Sequence, residues 1–177
     1  MTVTDSGFGA YDVRGVYPDQ VNEQLAYRIG RSFPTLFHAE TVAVGHDIRL
    51  SGPALRDALV KGLTEAGCNV VDIGQCGTEM IYFTTAHLGL DGGIMITASH
   101  NPKQYNGMKF VRAESRPISS DTGLKDIAAM AVGETYPAPA RSAGHVEKKD
   151  ILDEYVKHIL SYVDVSKLKP YKIVVNT

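Results

Sequence analysis

Between Thr41 and Thr97 the chain alternates short β-rich runs with segments of helical period, and this alternation restricts the fold more than any other feature of its 177 residues. Thr41 to Gly45, Asn69 to Ile73 and Gly92 to Thr97 read as strands, each a short apolar run bounded by turn signals. Between the first two, Ser51 and Pro53 occupy the cap and first-turn positions of a helix that turns Leu55, Leu59 and Leu63 inward and closes at Gly67. Thr78 is the expected cap of the next helix, which runs through Leu88 and closes at Gly89. A βαβαβ order implies parallel strands joined by helical crossovers, which makes the fold α/β with helices layered on a sheet. The following step differs. The loop from Thr97 to the next strand, Met108 to Arg112, is too short for a helical crossover, so these two strands are antiparallel if they are neighbours and the sheet is mixed.

Outside this stretch, Asn22 caps a helix carrying Leu25, Ile29 and Phe33 on one face, which Pro34 is expected to kink or end. A last helix over roughly Asp121 to Ala131 completes the domain. Gly133 to Gly144, with Pro137, Pro139 and several Ala and Ser residues, reads as a connector. Asp150 to Val163 is helical by period, with Ile151, Tyr155 and Ile159 on one stripe, and Tyr171 to Val175 is an apolar run that predicts a strand. The expected organisation is a first domain over residues 1–132, a connecting segment over 133–148, and the start of a truncated second domain over 149–177. An orphan strand at 171–175 would be free to pair with another copy of the chain.

Composition narrows the function. With 44% hydrophobic and 21% charged residues and a formal charge of −2, the chain is an ordinary globular one. A pI near 6.3 argues against bulk nucleic-acid binding. No run approaches the roughly 18 apolar residues of a membrane span, and the N-terminus, with Asp5 and no apolar core region, does not read as a signal peptide. The cytoplasm is the expected location, and no membrane or nucleic-acid partner is expected. Cys68 and Cys76 lack CxxC spacing and are assigned no role.

The chemistry concentrates in Thr97-Ala98-Ser99-His100-Asn101-Pro102, directly after the apolar Ile94-Met95-Ile96. A hydroxyl beside an imidazole, at the point where a buried strand becomes a loop, is a candidate activated serine. Lys103, Lys109 and Arg112 follow closely, and a phosphoserine carries close to two negative charges that such cations would balance. Acyl transfer ranks lower, because Ala98 and His100 flank the serine where a nucleophile elbow has glycines. A turn serine that bonds its own backbone is the bland alternative at Ser99. A free-standing sugar-phosphate or anion-binding module is the rival functional class.

Thr97 to Pro102, followed by Tyr105-Asn106-Gly107-Met108-Lys109, resembles the phosphoserine loop of the α-D-phosphohexomutases, the family of phosphomannomutases and phosphoglucomutases. Phe8-Gly9-Ala10-Tyr11-Asp12-Val13-Arg14-Gly15 is similar to the family's opening motif, and Gly45-His46-Asp47-Ile48-Arg49-Leu50-Ser51 to its second, although His46 and Gly52 depart from it. The resemblance implies a three-layer α/β/α first domain with a mixed sheet and the phosphoserine loop between two antiparallel strands. It implies reversible phosphoryl transfer between C1 and C6 of a hexose phosphate through phosphorylated Ser99 and a bisphosphate intermediate. Ser99, His100 and Lys109 would be catalytic, and Tyr11 and Arg14 would meet the substrate. One Mg²⁺ would be held by the Ser99 phosphate and by an Asp-Gly-Asp-x-Asp-Arg motif that this sequence does not contain, with a hexose 1,6-bisphosphate as activator. Residues 1–177 alone are then expected to be inactive. Asp47 and Arg49 read as a brace for the loop rather than as ligands.

Overall fold

The computed structural model describes residues 3–176, so Met1, Thr2 and Thr177, the outermost positions of the two expected domains, lie outside the described residues. The strands are β1 (Val13–Val16), β2 (Thr41–His46), β3 (Asn69–Gln75), β4 (Gly92–Ile96), β5 (Tyr105–Arg112), β6 (Arg116–Pro117) and β7 (Val146–Lys148). The helices are α1 (Glu23–Phe37), α2 (Gly52–Glu65), α3 (Thr78–His87), α4 (Leu124–Gly133) and α5 (Leu152–Leu160). One mixed sheet runs in the order β1-β5-β4-β2-β3-β7, with β6 also on β5. The pairs β2–β3 and β2–β4 are parallel, whereas β4–β5 is antiparallel, as the short loop between them requires.

Side chains alternate across the sheet and so divide the core in two. Val42, Val44, Ile94, Ile96, Met108 and Phe110 face α1, α2 and α4, where Leu25, Ile29, Phe33, Leu59 and Ile127 cover them. Ala43, Val71, Met95 and Val111 face the other way and meet Ile81 of α3. The result is the expected α/β/α sandwich. From β2 the chain crosses through α2 to β3 on one side, and from β3 it returns through α3 to β4 on the other side of β2, so the two crossover helices lie on opposite faces. The connections leaving β2 and β4 therefore diverge and open a crevice beyond their adjoining C-terminal ends, where open α/β sheets take their ligands.

Local signals set several helix ends. Asn22 Oδ1 accepts the Leu25 N–H (2.9 Å) at the start of α1. Gly67 (φ 88°) and Gly89 (φ 64°) supply the left-handed residue after α2 and α3, and the Cys68 and Leu90 amides reach back to the Leu63 and Thr85 carbonyls. Other ends differ from expectation. Pro34 lies inside α1, which continues to Phe37 and ends at a left-handed His38. Thr78 is the first residue of α3 and Gly77 holds the cap position. Ser51 makes no cap bond: its backbone is already helical (φ −81°, ψ −8°), and its hydroxyl accepts from Asn106 Nδ2 (2.8 Å). Residues 120–122 form a separate 3₁₀ turn broken from α4 by Gly123 at φ 130°.

The expected connector is fastened to the domain. Arg31 donates to the Pro137 carbonyl (2.6 Å) and stacks on Tyr136, the Gly144 amide bonds the Thr64 carbonyl, and Val146–Lys148 joins β3 as a parallel edge strand. Composition misses this strand because its three residues are too few for a period and all are exposed. Downstream, α5 rests on α3 through Tyr155 and His158 around the Phe83 ring. The predicted strand at 171–175 does not form among the described residues: Tyr171, Ile173, Val174 and Val175 are exposed and find no ladder. β propensity without a neighbour to hydrogen-bond makes no strand.

Candidate active site

Strand β4 is buried at every residue and ends at the crevice, so the loop that follows starts from a fixed point. Thr97 is the hinge. Its amide bonds the Gly107 carbonyl across to β5 (3.0 Å), its hydroxyl donates to Asp47 Oδ2 (2.7 Å), and the same oxygen accepts the Ser99 N–H (2.8 Å). Ser99 takes a left-handed conformation, φ 54°, which costs a non-glycine residue roughly 1–2 kcal/mol. Its Oγ lies 3.2 Å from His100 Nδ1 at an exposed position. The hydroxyl is presented outward with an imidazole beside it.

Arg49 holds the loop from beneath. Its guanidinium donates to the carbonyls of Pro102 and Tyr105 (2.9 Å each), Ser99 (2.9 Å) and Asn101 (2.7 Å), and its Nε donates to Asp47 Oδ2 (3.3 Å). Asp47 Oδ1 in turn accepts the Arg49 amide (3.0 Å). The side chain is only 10% exposed. Asp47 and Arg49 thus have the bracing geometry read from the sequence.

A second cluster approaches from β1, a strand too short to be read from sequence. Arg14 pairs in register with Gly107 of β5, and Lys109 of β5 pairs in register with Met95 of β4. Asp12 Oδ2 accepts from Arg14 (2.6 Å) and from Lys109 Nζ (3.2 Å). Arg14 also donates to Asn101 Oδ1 (2.5 Å), which ties the cluster to the Ser99 loop. Two cations share one carboxylate here, and that local excess of positive charge suits a phosphoryl group. Lys109 is half-buried rather than a solvated strand lysine. Tyr82 of α3 faces the same carboxylate: burial first, then Asp12 and Glu79, push its phenol above the ordinary tyrosine range, so it stays a neutral hydroxyl.

The remaining sequence-predicted residues divide. Tyr11 is 75% exposed, next to Asp12 in the chain. Lys103 lines a cavity of about 420 Å³ with Ser99, Asn101, Asp47 and Arg49. Arg112 is a correction: it pairs with Gly92 at the opposite end of β4 and β5, so its closeness to Ser99 is in sequence only. Asp91, just before β4, accepts the Glu40 and Thr41 amides at that same far end. Thr97 and Asn101 stand in the quoted hexapeptide, yet their anchoring roles depend on Asp47 and Arg14, which are distant in sequence.

A family model described as "Phosphoglucomutase/phosphomannomutase, alpha/beta/alpha domain I" matches residues 5–136. The chain belongs to this family. A phosphomannomutase of Salmonella montevideo is 48% identical over 171 residues, covering 96% of this chain and 38% of its own length. Phosphohexose mutases of Xanthomonas campestris pv. campestris (strain B100) are 51% identical over 174 residues, covering 98% of this chain and 39% of the relative. The crystal structure of a phosphoglucomutase/phosphomannomutase family protein from Burkholderia thailandensis superposes with a TM-score of 0.84 at 32% identity, over 94% of this chain and 38% of that one. This member of the family thus spans well under half the length of the relatives it matches, and the Ser99 loop with strands β1 to β6 falls within the residues that the domain I model covers.

Proposed function

We propose that this chain is the phosphoryl-carrying part of a phosphohexomutase that moves phosphate reversibly between C1 and C6 of a hexose phosphate. The observation that carries this reading is Ser99 itself, held at a left-handed turn by Thr97 and Arg49 with its hydroxyl outward and a surplus of cations tied to its loop. In the forward step the Oγ–P bond of phosphorylated Ser99 breaks as a sugar hydroxyl forms its own O–P bond, and His100 takes the proton that the hydroxyl releases. The product is a hexose 1,6-bisphosphate, which also serves as activator. The return step gives its other phosphate back to Ser99. Lys109 and Arg14 stabilise charge on the transferring group, and Tyr11 meets the sugar phosphate.

The family implies one Mg²⁺, and the residues present do not fit it on their own. No group of three or more His, Cys, Asp or Glu among the described residues is placed to hold a metal, and the Ser99 phosphate would provide only part of an octahedral shell. Residues 1–177 alone should therefore be inactive, with the other ligands supplied from elsewhere in a longer enzyme. Among the described residues no helix is long and apolar enough to cross a membrane. A cytoplasmic location is part of the proposal and goes with the mutase reading. Association of two copies through the exposed 168–176 segment is the partner behaviour expected of the isolated chain.

Intact mass of the purified protein tests the reading. One phosphate on Ser99, absent from Ser99→Ala, is expected. A chain that binds hexose phosphates yet is never phosphorylated at Ser99 is an anion-binding module instead.

A further inference from the structure

We infer that Arg49 is a positioning residue for phosphoryl transfer, acting on Ser99 through the carbonyls of its loop; this rests on the mutase reading above. A guanidinium has five N–H donors in a rigid fork, and in Arg49 each has an acceptor: Asp47 for Nε, and the Ser99, Asn101, Pro102 and Tyr105 carbonyls for the two terminal nitrogens. Four of the five acceptors belong to the segment between Ser99 and the first residue of β5. That segment contains no core residue after Ala98, so hydrophobic packing does not fix it. Arg49 takes the place of water at these carbonyls and leaves the loop one arrangement.

The brace extends to the nucleophile by a second path. Asp47, which Arg49 orients, accepts the Thr97 hydroxyl, and Thr97 in turn receives the Ser99 amide. Both paths meet at a residue held at φ 54°, a conformation that an unbraced serine readily leaves. Ile48 and Leu50, on either side of Arg49, are 77% and 101% exposed, so Arg49 is the part of this turn committed to the protein. Its charge is matched by Asp47, which makes its contribution at Ser99 one of geometry rather than field. Lysine keeps the charge but has three donors on a flexible stem and cannot reproduce the five contacts.

The test is steady-state turnover of glucose 1-phosphate and mannose 1-phosphate by the full-length enzyme carrying Arg49→Lys, Arg49→Ala, Thr97→Val or Thr97→Ser. Misplacing the nucleophile should lower kcat by roughly 10- to 100-fold in Arg49→Lys and Arg49→Ala alike, with KM within about threefold of wild type. Thr97→Val should fall in the same way, and Thr97→Ser should restore most of the rate. If the Arg49 variants fail to fold, the Thr97 pair decides, since it leaves the guanidinium in place. An Arg49→Lys enzyme with wild-type kcat, or a Thr97→Ser enzyme as slow as Thr97→Val, overturns the inference while the mutase reading stands. A wild-type enzyme without turnover and without phosphate on Ser99 overturns the mutase reading itself.

Discussion

Among the described residues, Ser99 Oγ has a hydrogen-bond partner in His100 alone and sits at an exposed position, so its replacement separates chemistry from stability. Ser99→Ala should stay within about 0.5 kcal/mol of wild-type stability in urea, yet abolish mutase turnover in the full-length enzyme, because the proposed covalent carrier is gone. Arg14 and Lys109 differ, since each has Asp12 as partner. Neutralising either should slow phosphoryl transfer by about 10² if it contacts the transferring group, whereas a rate within a few-fold of wild type would make the Asp12 cluster structural only. The two cysteines give a pH prediction. Burial, chiefly, pushes both the Cys68 and Cys76 thiols up to about 12. The folded state therefore favours the protonated thiol, a contribution fully present below the ordinary thiol range near 8.5 and lost as pH rises toward 12. Stability should decline across that window, less steeply in a Cys68→Ala, Cys76→Ala double variant followed by thermal melting. Iodoacetamide at pH 8 should label neither cysteine until the protein is unfolded.

Among the elements, the α1–α2 contact leaves no room for side chains where the two helices meet. Gly30 and Gly62 face each other, and a Cβ on Gly30 would overlap the Leu59 carbonyl oxygen while one on Gly62 would overlap that of Tyr27. Helix propensity alone would make alanine better by about 1 kcal/mol at either site. The backbone clash opposes this, and because neither helix has a flexible side chain to move aside, overpacking should win. Gly30→Ala or Gly62→Ala should destabilise by about 1–3 kcal/mol in urea unfolding, and an unchanged or raised midpoint would show that the helices part without cost. Sequence period identified both helices through their apolar stripes, Leu25, Ile29 and Phe33 in α1 and Leu55, Leu59 and Leu63 in α2. It could not show that the glycines inside them mark the crossing, because only the partner backbone makes a missing side chain necessary.

For the whole molecule, Tyr171, Ile173, Val174 and Val175 are exposed apolar residues without a partner strand. Residues 1–177 should self-associate at high concentration, and deleting residues 168–177 should make the chain monomeric by sedimentation velocity without lowering its melting temperature, since the segment adds nothing to the core. A deletion that leaves the dimer intact would move the contact elsewhere. The connector behaves oppositely. Arg31 grips Pro137 and Tyr136, and β7 closes the β3 edge, so ending the chain at residue 132 should destabilise the domain.

What the sequence determined by itself is local and periodic. Short apolar runs bounded by turn signals gave the parallel core strands, glycines closed α2 and α3, and the short link after Thr97 forced the antiparallel turn that carries Ser99. The hexapeptide marked the candidate nucleophile because its residue types are themselves chemical. Tertiary structure alone decided which distant groups meet it: β1 brings Arg14 and Asp12 beside Lys109, the end of β2 places Arg49 under the loop, and Arg112 is carried to the far end of its strand. The division has one physical cause. Propensity, period and turn chemistry act over a few neighbouring residues, whereas the order of strands in a sheet depends on contacts between segments whose separation along the chain leaves no periodic trace.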